Sequence, residues 1–176
     1  MTVRRQVEVV AHDPAWAQAF VSEASRLCVA LAGEDNVLAI HHIGSTAVAG
    51  IAAKPIIDIM PVVRDIALVD DANAAMHALG YEAMGELGIA GRRYFRKDTN
   101  GKRTHHVHVF AEGSAHMIRH LAFRDYLRVH PEDAARYSAL KQQLAAAHSQ
   151  DIEAYMAGKD GLIKELEQTA LVWTQR

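Results

Sequence analysis

A single carboxylate inside an aliphatic run is the first residue of this 176-residue chain that demands a chemical explanation. Asp58 stands in PIIDIMPVV, residues 55–63. On a strand, side chains two apart share a face, so Ile56, Asp58, Met60 and Val62 point together. An ionised carboxylate among such neighbours needs a metal ion, a lysine or hydrogen-bond donors, because an unpaired buried charge would shift its pKa and neutralise. A second cluster occurs in HHVHV, residues 105–109. Strand alternation puts His106 and His108 on one face with Phe110, and His105, Val107 and Val109 on the other. Two imidazoles so spaced can ligate one metal ion, and an Asp with two His suits zinc, manganese or iron better than magnesium. The plainer alternatives are an ion pair of Asp58 with Lys54 or an arginine, and hydrogen-bonded surface histidines. Phe110 takes the place of a third alternating histidine, so a three-histidine nucleophilic hydrolase finds no support.

Other residues could hold an anion. Gly44-Ser45-Thr46 follows an apolar run, and Gly44 and Gly50 permit a tight loop whose backbone N–H groups approach a phosphate. This is not a Walker A loop, because Ile51 rather than lysine follows Gly50 and the lysine comes only at Lys54. Arg119, Arg124 and Arg128 lie in MIRHLAFRDYLR, where Arg124 and Arg128 are four apart and can face one anion together. Leu121 and Phe123 beside Arg124 would strip water from a guanidinium and force it to find an acceptor. The bland alternative is a solvated face salt-bridged through Asp125.

These residues need elements to position them. Val7 to Val10 suggests a short first strand. Asp13-Pro14 then starts a helix to about Leu31, with Trp16, Phe20, Ala24, Leu27 and Leu31 as its buried stripe. Gly33 to Asn36 breaks that helix. Val37 to Ile43 reads as the strand that delivers the glycine turn, and Pro55 to Val63 as the strand that carries Asp58. Asp65 caps a helix to Leu79, with Ile66, Val69, Met76 and Leu79 inward and Gly80 as its stop. Tyr81 to Met84 is a short strand. Arg92 to Lys97 pairs with Arg103 to Phe110 across Asn100-Gly101. From Ser114 the pattern is helical: one helix carries the arginines, Pro131 starts another with Tyr137, Leu140 and Leu144 on its apolar side and Lys141 beside them. A last helix from about Asp160 buries Leu162, Leu166, Ala170 and Trp173. The order implies one α/β (α+β) domain over residues 1–176, with a mixed sheet flanked by helices and a helical C-terminal third.

Half of the residues are apolar and the net charge is −2 with histidine neutral, so duplex nucleic acid, which calls for a basic surplus, is not an expected partner. The single Cys28 cannot form an internal disulfide and fits a reducing, cytoplasmic setting as a small buried apolar residue. The start of the chain is not a signal peptide, and no apolar run reaches the roughly 20 residues that span a bilayer, so no membrane role is expected. This composition is compatible with a homo-oligomer.

The stretch HIGSTAVAGIAAKPIID, with HHVHV and then LAFRDYLRVHPEDAARYSALK, resembles the GrpB family of predicted nucleotidyltransferases, from about Val7 to Trp173. The resemblance implies a nucleotidyltransferase-like fold in which Gly44, Ser45 and Thr46 contact phosphate and Asp58 holds a divalent ion (Mg²⁺, Mn²⁺ or Zn²⁺). Active members of that superfamily carry two acids two apart on one strand and a third on its neighbour. Here Met60 takes the second place, and His106 and His108 stand where the third would lie. A thioether cannot replace a carboxylate for Mg²⁺.

Three expectations follow. One is a nucleotidyltransferase-like protein acting on a nucleotide or other phosphorylated small molecule, with Asp58, His106 and His108 as catalytic and metal residues and Gly44, Ser45, Thr46, Lys54, Arg119 and Arg124 against the phosphate. Another is a metal-dependent hydrolase or other metalloenzyme with an Asp58/His106/His108 site, helped by His42. The last is a non-catalytic or regulatory domain, suggested by family relatives that look fused to dephospho-coenzyme A kinases.

Overall fold

The computed structural model describes residues 6–32 and 35–176, so Gly33 and Glu34 of the expected helix break, Gly33 to Asn36, lie outside the described residues. Five strands form one sheet: β1 (Val37–Ile43), β2 (Ile57–Val63), β3 (Tyr81–Ala83), β4 (Arg93–Thr99) and β5 (Lys102–Ala111). Their order is β1-β2-β5-β4-β3. Only β2 and β5 run parallel, while β1 with β2, β4 with β5 and β3 with β4 are antiparallel. The helices are α1 (Ala15–Ala30), α2 (Asn73–Ala78), α3 (Ala115–Val129), α4 (Pro131–Ala147) and α5 (Ile152–Trp173).

Strand alternation divides the sheet into two faces. On one, Ile57, Ile59 and Val63 of β2 with Val107 and Val109 of β5 pack against Trp16 and Leu27 of α1 and Met76 of α2. On the other, Met60, Val62 and Phe110 meet Met117 and Leu121 of α3. A third cluster joins α3, α4 and α5 through Tyr126, Leu127, Tyr137 and Leu166 to Val48 and Ile51 of the glycine loop. The C-terminal helices are thereby packed onto the loop between β1 and β2. Asp58, His106 and His108 share their strand parity with Met60 and Phe110, so they open toward that helical side.

Three local expectations are revised, and one buried acid is added. Val7 to Val10 makes no strand: Val10 forms an isolated antiparallel bridge with Ala53, while the Val7 N–H turns away to Ser149 O at 2.9 Å. The expected helix from Asp65 to Leu79 is a 3₁₀ segment over Ala67–Ala72 followed by α2. Asn36 clamps the Asp65 backbone from both sides, and the Asp65 carboxylate accepts from Ala67 N at 2.9 Å, which tightens this first turn. The last helix starts at Ile152, capped by Asp151, rather than near Asp160. Glu23, on the buried side of α1, is an acid the apolar stripe concealed. It accepts from Tyr81 Oη and Lys97 Nζ, each at 2.8 Å, which compensates its removal from water.

Candidate functional site

The parallel register of β2 and β5 sets Asp58 beside His106, and the antiparallel register with β1 sets it opposite Ile43, the last residue before the glycine turn. Gly44 adopts φ +72°, and a Cβ there would stand 2.7 Å from Asp58 Oδ2. Glycine is therefore required by two independent conditions, backbone sign and room for the carboxylate. Ser45–Ala47 then form a 3₁₀ turn.

Asp58 Oδ1 lies 3.2 Å from His106 Nδ1 and 3.4 Å from His108 Nε2. Burial works to raise the Asp58 pKa, but the hydrogen bonds and charge of His106 and His108 outweigh it and hold the group well below the usual carboxylate range. One ligand atom from each of the three residues falls within 4.8 Å of the others. Donors bound tetrahedrally to an ion at about 2 Å are separated by about 3.3 Å, so the two contacts of Asp58 have the spacing of a metal site as well as that of hydrogen bonds, and the three donor types are ones that could hold an ion. The outer ring nitrogens impose a condition. His106 Nε2 is 3.3 Å from Arg103 Nη1 and His108 Nδ1 is 3.5 Å from Arg92 Nη1. A guanidinium only donates, whereas the free nitrogen of a metal-bound imidazole normally donates to an acceptor. Metal binding thus requires both guanidinium groups to turn from these long contacts. Without metal they favour the tautomers that donate to Asp58.

The three residues border a cleft of about 340 Å³, which Gly44, Ser45, Thr46, Lys54 and Arg119 also line. Sequence reasoning expected all of these at the site. Arg119 spends its charge on Glu167, with Nη1 at 2.6 Å from Oε1. Two expected residues are elsewhere. His42 belongs to the other sheet face, stacks on Phe20 at 4.8 Å between ring centroids and meets Thr46 Oγ1 through Nε2 at 2.9 Å. Burial pushes its pKa down to about 4. Arg124 pairs with Asp125 and donates to His42 O at 3.2 Å. Arg128 likewise donates to Ala47 O at 3.0 Å. These two arginines fasten the ends of the glycine turn to α3 and do not line the cleft.

The far wall comes from α4 and α5, which contribute Tyr137, Lys141, Tyr155 and Lys159. Lys141 is 2% exposed; its Nζ donates to Ser45 Oγ at 2.8 Å and to Ala52 O, and lies 4.3 Å from the Tyr137 ring centroid. Burial, reinforced by Lys159 and Lys54, pushes its pKa down to about 7. Burial and Lys54 push Lys159 down to about 8. Burial raises the Tyr137 hydroxyl to about 12. The available sequence signal was a lysine four residues after a tyrosine in each helix, Tyr137 to Lys141 and Tyr155 to Lys159, which puts both on one helical face.

Residues 6–169 match the family described as GrpB protein. The chain is 49% identical to Bacillus subtilis YqkA, with 97% of this chain aligned but only 49% of the relative. The chain thus spans about half the length of that relative. A dephospho-CoA kinase of Mycolicibacterium paratuberculosis is 29% identical, again over 97% of this chain and 47% of its own. Among solved structures, GrpB from Enterococcus faecalis superimposes with a TM-score of 0.91 at 45% identity, covering 96% of this chain and all of that one. Cid1 in complex with its short product ApU matches at a TM-score of 0.52 and 12% identity, over 74% of this chain and 41% of that one. At that identity the likeness is one of fold: the chain has a nucleotidyltransferase-like mixed α/β architecture.

Proposed function

This chain belongs to the GrpB family, and on that premise we propose that it is a nucleotidyltransferase-like protein that takes a nucleotide or other phosphorylated small molecule together with one divalent ion. The observation that carries this is the juxtaposition of Asp58, His106 and His108, within 4.8 Å of one another, with a cleft lined by Ser45, Lys54 and Lys141. A single ion is proposed because Met60, where a second acid would stand, is fully buried in the apolar core. The imidazoles favour Zn²⁺ or Mn²⁺ over Mg²⁺. Bound there, the ion would polarise a phosphoryl oxygen. Gly44, Ser45 and Thr46 would orient the phosphate, with Ser45 Oγ set by its bond from Lys141, while Lys54 would balance its charge and Arg119, paired with Glu167, would line the same cleft. The likeness to Cid1, whose solved complexes include bound MgGTP, supports a nucleotide as the first ligand to try.

The test is a thermal-shift panel of nucleoside mono-, di- and triphosphates, each with and without Mn²⁺ or Zn²⁺, on the wild type and on Asp58→Asn and His108→Gln. The expected result is stabilisation by nucleotide that deepens with metal, the metal-dependent part being lost in both variants. No stabilisation by any nucleotide under any metal condition would overturn the proposal.

A further inference from the structure

The cationic wall asks for more than one phosphate. Lys54, Lys141 and Lys159 all line the cleft. Among the described residues no carboxylate lies within salt-bridge distance of Lys141 or Lys159; of the acids that line the cleft with them, Asp58 is engaged by two histidines and Glu167 by Arg119. Lys54 and Lys159 both lie against the Tyr155 ring, with Nζ at 5.4 and 5.0 Å from its centroid. A ring face attracts cations but does not neutralise them. Tyr155 itself is fully buried, and among the described residues its hydroxyl has no hydrogen-bond partner. Buried hydroxyls are nearly always satisfied, so an orphan one on a cleft wall points to a group that arrives with a ligand.

We propose that Lys54, Lys141 and Lys159, with the hydroxyls of Ser45 and Tyr155, form a receptor for a polyphosphate chain. The ligand class of the cleft is then a nucleoside di- or triphosphate, or another pyrophosphate-bearing molecule, and not a monophosphate. All three lysines line this wall, and among the described residues neither Lys141 nor Lys159 has a salt-bridge partner. They are also spread out: Lys141 sits at Ser45, while Lys54 and Lys159 flank Tyr155. A chain of phosphates carries its charges at intervals and meets separated ammonium groups, whereas a single phosphate satisfies one locality. Anion binding would also offset the desolvation that depresses both Lys141 and Lys159. This inference rests on the cleft being a phosphate site but not on its metal.

The experiment is isothermal titration of the whole chain with orthophosphate, pyrophosphate and tripolyphosphate in chelator-treated buffer, for the wild type, Lys159→Met and Tyr155→Phe. Lys141→Met is a weaker choice, because so buried a residue also ties Ser45 to Ala52 and its loss can unfold the protein. Tripolyphosphate should bind at least about tenfold more tightly than orthophosphate. Lys159→Met should lose about ten- to a hundredfold in tripolyphosphate affinity, the range of a charge-assisted hydrogen bond, and Tyr155→Phe should lose severalfold with its melting temperature unchanged. Equal affinity for orthophosphate and tripolyphosphate, undiminished affinity in Lys159→Met, or no binding of any of the three would overturn the inference. Tripolyphosphate binding in chelator with no metal binding by the phosphate-free protein would leave this inference standing and remove the metal site.

Discussion

A side chain at position 44 has nowhere to go, because its Cβ would fall 2.7 Å from the carboxylate that anchors the proposed metal site, on a backbone at φ +72° and ψ −173°. That conformation belongs essentially to glycine and costs another residue about 1–3 kcal/mol. Gly44→Ala should therefore lower stability by about that amount in chemical denaturation and weaken Mn²⁺ or Zn²⁺ binding by more than about tenfold, since relieving the clash moves Asp58. Full metal affinity in this variant would show that Asp58 does not hold the ion. His42 makes a different prediction. Its folded pKa is held at about 4 by burial, against 6.5 as the ordinary value. Between those values the unfolded chain binds a proton that the native protein does not, so stability falls as pH drops from 6.5 toward 4, by up to about 3 kcal/mol. His120, pushed down to about 3 by burial, adds a loss of the same sign. The comparison of wild type with His42→Gln isolates His42: denaturation at pH 7 and pH 4.5 should show a shallower loss in the variant, and identical losses would contradict the assignment.

Elements with strong local grammar were legible in the sequence. β1 has the expected limits, Val37–Ile43, because a short apolar run ends at a glycine turn. The hairpin turns at Asn100 and Gly101, both at positive φ, as an Asn-Gly pair requires. Strand alternation placed His106 and His108 on one face, and the β2–β5 register supplied what no local pattern could, their approach to Asp58. Strand alternation also places His42, opposite Ile59, on the other face from Asp58. The cationic wall was illegible because it forms across 96 residues, between Ser45 and Lys141, and through a helix whose early glycines masked its start. Gly158 is no helix break but a packing position, where a Cβ would run into the Leu144 side chain of α4. The first two turns of α5 carry Tyr155 and Lys159 and depend on the Asp151 cap, whose carboxylate accepts from Ala154 N at 3.0 Å. Asp151→Ala should cost about 1 kcal/mol and weaken tripolyphosphate binding by fraying that wall. A stability loss with tripolyphosphate affinity unaltered would show that the wall does not depend on the cap.

At the scale of the molecule, the sheet and the C-terminal helices face each other across the cleft with complementary equipment: a carboxylate and two imidazoles on the strands, lysines and tyrosines on the helices. Arg124 and Arg128 of α3 hold the glycine turn between them through His42 O and Ala47 O, so the family block read as ligand-binding arginines instead fixes the geometry of the loop. None of the described helices is long and apolar enough to cross a membrane. The proposed function makes one central demand, that metal and phosphates occupy this cleft together. Crystals grown with Mn²⁺ and a non-hydrolysable nucleoside triphosphate test it directly through the anomalous signal of manganese. The account predicts a peak bonded at about 2.0–2.3 Å to Asp58 Oδ1, His106 Nδ1 and His108 Nε2, with Arg92 and Arg103 turned from the outer ring nitrogens and the phosphate chain within hydrogen-bond reach of Lys141 and Lys159. A nucleotide bound outside the cleft, or manganese absent from Asp58 with the two arginine–histidine contacts intact, would contradict it.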